Sequence, residues 1–267
     1  MIISMGKPLL RAFGKSDPGL VRETNEDALG MIDLSTGQRW QRRRDAPIEW
    51  STAPAGVLLS VSDGMGGAKA GEVASALSVE SVLDGMLSAA HIRQPDGETL
   101  RHVVEQANHR IYEAGRSRAD RKGMGATLTA ILLSGTTAYI AQIGDSRAYL
   151  LRGGQIGQIT HDQSYVQMLV DAGAMTPHEA SISPRRNIIL QVMGQEIVSV
   201  ALGRMDVCTG DRLILCSDGL TNFVDDATLL LVAKAPAPLG LACDELVTRT
   251  LDIGAPDNVT VIVAEVA

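Results

Sequence analysis

The stretch that most constrains this 267-residue chain is 126–160, where A-T-L-T-A-I-L-L, T-A-Y-I-A-Q-I, R-A-Y-L-L and Q-I-G-Q-I-T follow one another. Between them stand little more than Ser-Gly, Gly-Asp-Ser and Gly-Gly, which are hairpin signals. A parallel neighbour would need a crossover of about a dozen residues, so these runs must pair antiparallel. Around them, Gly56 to Ser62 reads as a strand. Glu72 to Leu87 keeps Val73, Ala76, Leu77, Leu83 and Leu87 at helical spacing, and Thr99 to Arg118 does the same with Leu100, Val103, Val104, Ala107 and Ile111. Residues 35–55 read as an irregular, polar surface loop. From His161 to Gly194 the chain looks helical and then irregular, and T-P-H-E at 176–179 has capping-box spacing with proline at the first helical position. A strand at R-L-I-L-C-S, helices near Asp226–Ala233 and Leu241–Leu251, and a closing strand N-V-T-V-I-V-A-E-V complete a layered α+β class with largely antiparallel sheets.

With two Phe, four Tyr and two Trp, the core must be aliphatic. A net charge of −7 argues against nucleic acid as a partner, since phosphate backbones require a basic footprint. Arg39, Arg42, Arg43 and Arg44 are the exception, read as a solvated loop or as a docking patch for an acidic or phosphorylated partner. No apolar run approaches the roughly 18 to 20 residues that span a bilayer, and the N-terminus lacks the order of a signal peptide. Cys208, Cys216 and Cys243 have no metal-ligand spacing and read as buried free thiols, which suits a reducing, cytoplasmic location.

Three strands end on carboxylates: Asp63 in V-S-D-G-M-G-G, Asp145 in I-G-D-S-R and Asp218 in C-S-D-G-L, while Asp257 in P-D-N-V-T precedes a strand. In antiparallel sheets one strand's end lies beside its neighbour's start, so all four can gather on one rim. Such a cluster repels itself unless protonated or bound to hard cations such as Mg²⁺ or Mn²⁺. Gly64 and Gly219 would let a backbone carbonyl or a substrate approach closely. Taken singly, each S-D-G is an ordinary turn, N-E-D at 25–27 a polar turn or helix cap, and Arg22 a surface charge.

Six pieces in fixed order carry more: G-L-V-R-E-T-N-E-D at 19–27, V-S-D-G-M-G-G at 61–67, G-A-T-L at 125–128, G-D-S-R at 144–147, S-D-G-L at 217–220 and D-N-V-T at 257–260. Together they resemble the metal-dependent Ser/Thr protein phosphatases of the PPM, or type 2C, class, in its compact bacterial branch. The resemblance spans nearly the whole chain and implies one catalytic domain over 1–267. It implies two packed, mostly antiparallel sheets flanked by helices, an α-β-β-α sandwich with a two-metal centre at one end. Carried over, Asp63 bridges two Mn²⁺ or Mg²⁺ ions, the Gly64 carbonyl binds one of them, and Asp218 and Asp257 hold the other. Glu26 aligns with the family's acidic ligand, with Asp27 as a ligand or water-holder, and Asp145 matches a third, weaker metal position. Arg22 would grip the substrate phosphate. The implied reaction is hydrolysis of phosphoserine or phosphothreonine by direct attack of a metal-bridging hydroxide, without a covalent intermediate. The implied partner is a phosphorylated protein, with the enzyme countering a Ser/Thr kinase, as a monomer and away from membranes. Residues 162–194 occupy the place of a flap beside the site.

One departure stands out: some relatives carry histidine where this chain has Met65, whose thioether cannot protonate a leaving alkoxide. A metal-bound water, or more remotely His161, is the remaining source of that proton. C-D-E-L-V-T-R at 243–249 has the Cys-x5-Arg spacing of cysteine-dependent phosphatases, but Asp244 and Glu245 would repel both thiolate and phosphate, and the segment has helical character. The alternatives left open are a catalytically inactive phosphoprotein-binding relative and a two-metal phosphatase of small phosphoesters.

Overall fold

The computed structural model describes residues 9–40, 46–66 and 70–267. Strands β1 (Leu9–Asp17), β2 (Asp27–Asp33), β3 (Ile48–Ser51) and β4 (Val57–Met65) lead into helices α1 (Ala70–Ala90) and α2 (Gly97–Ser117). Strands β5 (Gly125–Ala126), β6 (Leu128–Ser134), β7 (Thr137–Ile143), β8 (Arg147–Arg152) and β9 (Gln155–Gln158) follow; β6–β7 and β8–β9 are the expected hairpins, but the Gly-Asp-Ser turn is not one, because β7 and β8 lie in different sheets and the chain crosses between them there. After them come α3 (Tyr165–Asp171), α4 (Pro177–Ser181), β10 (Ala201–Asp206) and β11 (Arg212–Cys216). The chain closes through α5 (Asp218–Thr221), α6 (Asp226–Lys234), α7 (Leu239–Asp252) and β12 (Val259–Val266).

Every described strand pair is antiparallel. One sheet runs β3-β1-β12-β11-β8-β9; the other runs β10-β7-β6-β4-β2, with β5 appended to β4. Their inner faces enclose a core that includes Leu10, Met31, Leu59, Ile131, Leu215 and Ile262. Helices α1 and α2 cover the outer face of the second sheet, and α6 and α7 that of the first. Strand β4 is buried on both faces from Val57 to Val61, which is why its sequence is a continuous apolar run rather than an alternating one. Each such aliphatic side chain, fully buried, contributes roughly 1.5 to 3 kcal/mol. The fold is the expected α-β-β-α sandwich.

Several expectations need correction. Residues 35–55 are not wholly irregular, because β3 lies within them as an edge strand on β1. Ile48 and Trp50 face inward and Glu49 outward, an alternation too short to stand out from its polar surroundings. Strand β4 does not stop before Asp63 but continues to Met65, because β5 pairs with Gly64 and Met65. Helix α1 is long and apolar enough by length and composition to cross a bilayer, although Glu80 and Asp84 interrupt it as a sequence run. In the fold its buried side packs against β2 and β4. Cys216 and Cys243 are buried free thiols as expected, but Cys208 is exposed. Arg42, Arg43 and Arg44 lie outside the described residues, and Arg39 is ion-paired with Asp84 of α1. The capping box at Thr176 and Glu179 is present.

Candidate metal centre

Carboxylates from both sheets meet at one end of the sandwich. The β2–β4 register sets Asp27 directly opposite Asp63. From the other sheet, β11 hands over to α5 at Asp218, and Asp257 stands two residues ahead of β12, the neighbour of β11. Asp145 occupies the turn from β7 to β8, where the chain crosses between sheets. The Asp63 and Asp218 carboxyl groups face each other, close enough for Asp218 to raise Asp63.

Electrostatics describe the same cluster. Burial holds the Asp63 carboxyl well above the usual carboxylate range, and the charges of Asp27 and Asp218 raise it further. Burial also lifts Asp27 to about 7; the Ser217 and Thr260 hydroxyls oppose that rise and Asp218 and Asp257 add to it. Asp145 is pushed to about 8 by burial, Asp218 and Asp162. Glu26 is raised by burial while Arg22 pulls it back. Among the described residues no three His, Cys, Asp or Glu side chains are drawn together closely enough to hold an ion as they stand. Repulsion is relieved here by protons and by Arg22, whose Nε and Nη2 lie 2.9 and 3.0 Å from the two carboxylate oxygens of Asp257.

The donor set nonetheless fits hard divalent cations. It is all oxygen, and the buried Oδ1 atoms of Asp27 and Asp145 have no hydrogen-bond partner among the described residues. Buried acceptors left unpaired are costly unless a cation or water completes them. Glycine brings the backbone in: a Cβ on Gly64 would stand 2.1 Å from the Gly71 carbonyl oxygen, and one on Gly71 would stand 2.8 Å from the Glu26 carboxyl. Helix α1 therefore begins in direct contact with the end of β4.

A layer of neutral side chains fixes these carboxylates. Asn258 accepts the Glu26 amide through Oδ1 at 2.7 Å and donates through Nδ2 to the carbonyls of Pro18 and Thr24, both at 2.9 Å. Ser217 Oγ donates to Asp27 Oδ2 at 2.7 Å. The Asp63 amide donates to Thr127 Oγ1 at 2.9 Å, and that hydroxyl contacts Ser146 Oγ at 2.7 Å. None of these was singled out from sequence, although each sits within or beside one of the six ordered pieces.

Beside the centre lies a cavity of about 330 Å³, lined by Asp145, Asp162, Arg186, Asn187, Asp218 and Asn222 among others. Arg147, also missed, spans its floor: Nη2 donates to Asp162 Oδ2 at 2.6 Å and Nε contacts both Asp162 oxygens. Segment 162–194 forms the other wall, tied down where Gly144 donates to Gln163 Oε1 at 2.8 Å and where Met193 and Ala126 bridge. His161 is exposed and paired with Asp171 at 2.8 Å. Cys243 lies inside α7 with its thiol pushed to about 12, chiefly by burial, and Arg249 is paired with Glu245. Neither can form a thiolate phosphate loop.

The protein phosphatase 2C family profile matches residues 35–250. The chain is 38% identical over 263 residues to the serine/threonine protein phosphatase PstP of Mycobacterium tuberculosis, covering 97% of this chain and 45% of that protein. It thus spans about half the length of that mycobacterial relative. With the serine/threonine phosphatase stp of Listeria monocytogenes it shares 34% identity over 96% of both chains. A solved catalytic domain of PstP in complex with two manganese ions superposes at a TM-score of 0.79 and 36% identity, covering 97% of this chain and 99% of that one. This chain belongs to the protein phosphatase 2C family.

Proposed function

We propose that this chain is a metal-dependent phosphatase that hydrolyses phosphoserine and phosphothreonine in proteins. The observation that carries the reading is Asp63: buried, opposite Asp27, facing Asp218 and raised further by Asp145. Asp63 and the Gly64 carbonyl, with Glu26 and Asp27 on one side and Asp218 and Asp257 on the other, would hold two Mn²⁺ or Mg²⁺ ions. Asp145 would contribute to a third, weaker position. Bound there, the cations supply an acidified water and charge neutralisation for in-line displacement at phosphorus.

The chain's own residues supply the rest. Arg22, half exposed at the rim, presents a guanidinium fork that matches two phosphoryl oxygens. Asn258, Ser217 and Thr127 hold the carboxylates in place, so that little reorganisation accompanies the reaction. Met65 cannot donate a proton, and His161 is engaged with Asp171, so neither side chain is placed to protonate the leaving alkoxide. Segment 162–194, as one wall of the adjoining cavity, would select among substrates. We infer further that the enzyme acts as a monomer opposite a Ser/Thr kinase, and that it works in the cytoplasm, a reading that its free thiols support.

The test is phosphate release from a phosphothreonine peptide with Mn²⁺, with chelator, and with Asp63→Asn. Release abolished by both controls supports the reading. Release that survives both would mean that the chemistry lies elsewhere, and a folded, Mn²⁺-binding protein that releases nothing would mean a binding role.

A further inference from the structure

We propose that Gln142 and Gln163 are positioning residues that lock the Asp145 turn to the cavity wall formed by residues 164–189, and that this lock governs the use of phosphopeptides; it rests on the phosphatase reading above. Strand β7 ends at Ile143 and β8 begins at Arg147, so residues 144–146 cross between the sheets outside either ladder. All three are buried, and buried backbone N–H and C=O groups are rarely left unpaired. Side-chain amides supply partners here. A buried glutamine is most simply a satisfied core residue, and three observations argue for more.

The first is convergence on Gly144. Gln142 is 2% exposed, and its Nε2 donates to the carbonyls of Gly144 and Ser146, both at 3.1 Å. Its Oε1 accepts the His161 amide at 2.9 Å. From the other side, Gln163 Oε1 accepts the Gly144 amide at 2.8 Å, while the Gln163 backbone amide donates to the Gly144 carbonyl at 3.0 Å. Both backbone groups of the residue before Asp145 are thus held by Gln163. Gly144 is itself tightly seated: its φ is +97°, and a Cβ there would stand 2.7 Å from the Thr127 side chain.

The second is reach into the wall. The Gln163 carbonyl accepts the Leu190 amide at 2.8 Å, and its Nε2 donates to the Ser199 carbonyl at 3.1 Å. Ser164 bridges Ile189, and the Tyr165 amide donates to the Ile188 carbonyl at 2.8 Å, which closes residues 164–189 into a loop carrying α3 and α4. Val166, Val170, Pro177, Ala180 and Arg186 of that loop line the cavity beside the metal centre. The third is where the loop's other root lands. Met193 exchanges two backbone hydrogen bonds with Ala126, the chain neighbour of Thr127, whose hydroxyl accepts the Asp63 amide. Wall and rim therefore share their anchors. A small phosphoester needs only the rim, whereas a phosphopeptide also covers the wall, and an unlocked wall must be ordered as it is covered.

The experiment uses Gln163→Met, which keeps the length of the side chain and removes its hydrogen bonds. With Mn²⁺, its kcat/KM on a phosphothreonine peptide should fall about five- to tenfold, the scale of one or two hydrogen bonds, chiefly through KM. The loss on a small chromogenic phosphoester should be smaller by about threefold or more. Trypsin should cut the folded variant after Arg185 or Arg186, inside the loop, about fivefold faster than wild type, whereas a protein destabilised as a whole would be cut throughout. Gln163→Ala, which removes the same bonds, should repeat the pattern. Equal losses on the two substrates, or cleavage inside the loop no faster than in wild type, would overturn the lock while leaving the phosphatase intact. Wild-type protein that hydrolyses neither substrate would overturn both.

Discussion

Arg22 and Asp257, 235 positions apart in the chain, are joined as a two-pronged pair: Nε to Oδ1 at 2.9 Å and Nη2 to Oδ2 at 3.0 Å. The fork proposed to grip phosphate thus holds a proposed metal ligand. A carboxylate and a phosphoryl group offer the same two-oxygen edge, so the two uses compete. A cation drawn to Asp257 would weaken its hold on Arg22 and turn the fork towards substrate.

Arg22→Lys keeps the charge and removes the fork. Its kcat/KM on a phosphopeptide should fall about ten- to a hundredfold, the scale of one or two charge-assisted hydrogen bonds. Manganese affinity, measured by calorimetry, should stay within a few-fold of wild type, whereas Asp257→Asn should weaken it. Equal loss of affinity in both variants would place Arg22 among the supports of the centre rather than on the substrate.

Gly64→Ala tests the close approach of β4 to α1. The added methyl would meet the Gly71 carbonyl oxygen at 2.1 Å, backbone that cannot rotate aside. A cost of about 1 to 3 kcal/mol is expected, with a lower Tm and weaker manganese binding. Gly157→Ala is the control, since nothing lies within 4 Å of its added carbon. Similar shifts in both would show that the contact does not matter.

How much of this was legible beforehand depended on where the constraint was local. Hairpin turns two residues long announce the pairing of β6 with β7 and of β8 with β9, but Asp63 belongs to one sheet and Asp218 and Asp257 to the other, so their meeting also needs the two sheets to pack face to face, which no local signal marks. The Asp27–Asp63 pair was not legible in the same way. D-A-L-G-M-I-D has no alternation, and a register set by a partner strand 30 residues away leaves no local mark. Strand β10, A-L-G-R-M-D, is exposed at a sheet edge and lacks an apolar face to betray it. Arg147 looked like one more polar residue after a turn, because its meaning comes from Asp162 across the cavity. Asn258 and Ser217 were hidden by their neighbours: the aspartates in the same motifs drew the attention.

Cys243→Ala should leave turnover unchanged, since the thiol is buried in α7 and lies far above its ordinary titration range. Losing the sulfur from a packed position should cost about 1 kcal/mol, read as a lower denaturation midpoint. A large fall in kcat with a normal midpoint would revive the cysteine reading of C-D-E-L-V-T-R.

Metal removal should invert the pH dependence of stability expected for paired carboxylates. In the unfolded chain Asp27 and Asp145 ionise near the ordinary 3.8; in the metal-free fold they hold their protons to about 7 and about 8. Across that window the folded state binds protons that the unfolded state has lost, so unfolding free energy falls as pH rises. The groups facing Asp27 are Asp63, Asp218 and Asp257, with the Ser217 and Thr260 hydroxyls; those facing Asp145 are Asp63, Asp218, Asp162 and Arg147. Unfolding free energies from urea titrations in chelator should therefore decline from about pH 4.5 to pH 8, by on the order of a few kcal/mol, with the midpoint falling in step. Saturating Mn²⁺ should remove the decline, because the cation stabilises the ionised carboxylates and, binding only the folded chain, adds its own stabilisation. A metal-free protein whose midpoint rises over the same range would mean that these carboxylates are already ionised and paired, and that the cluster is not poised for cations.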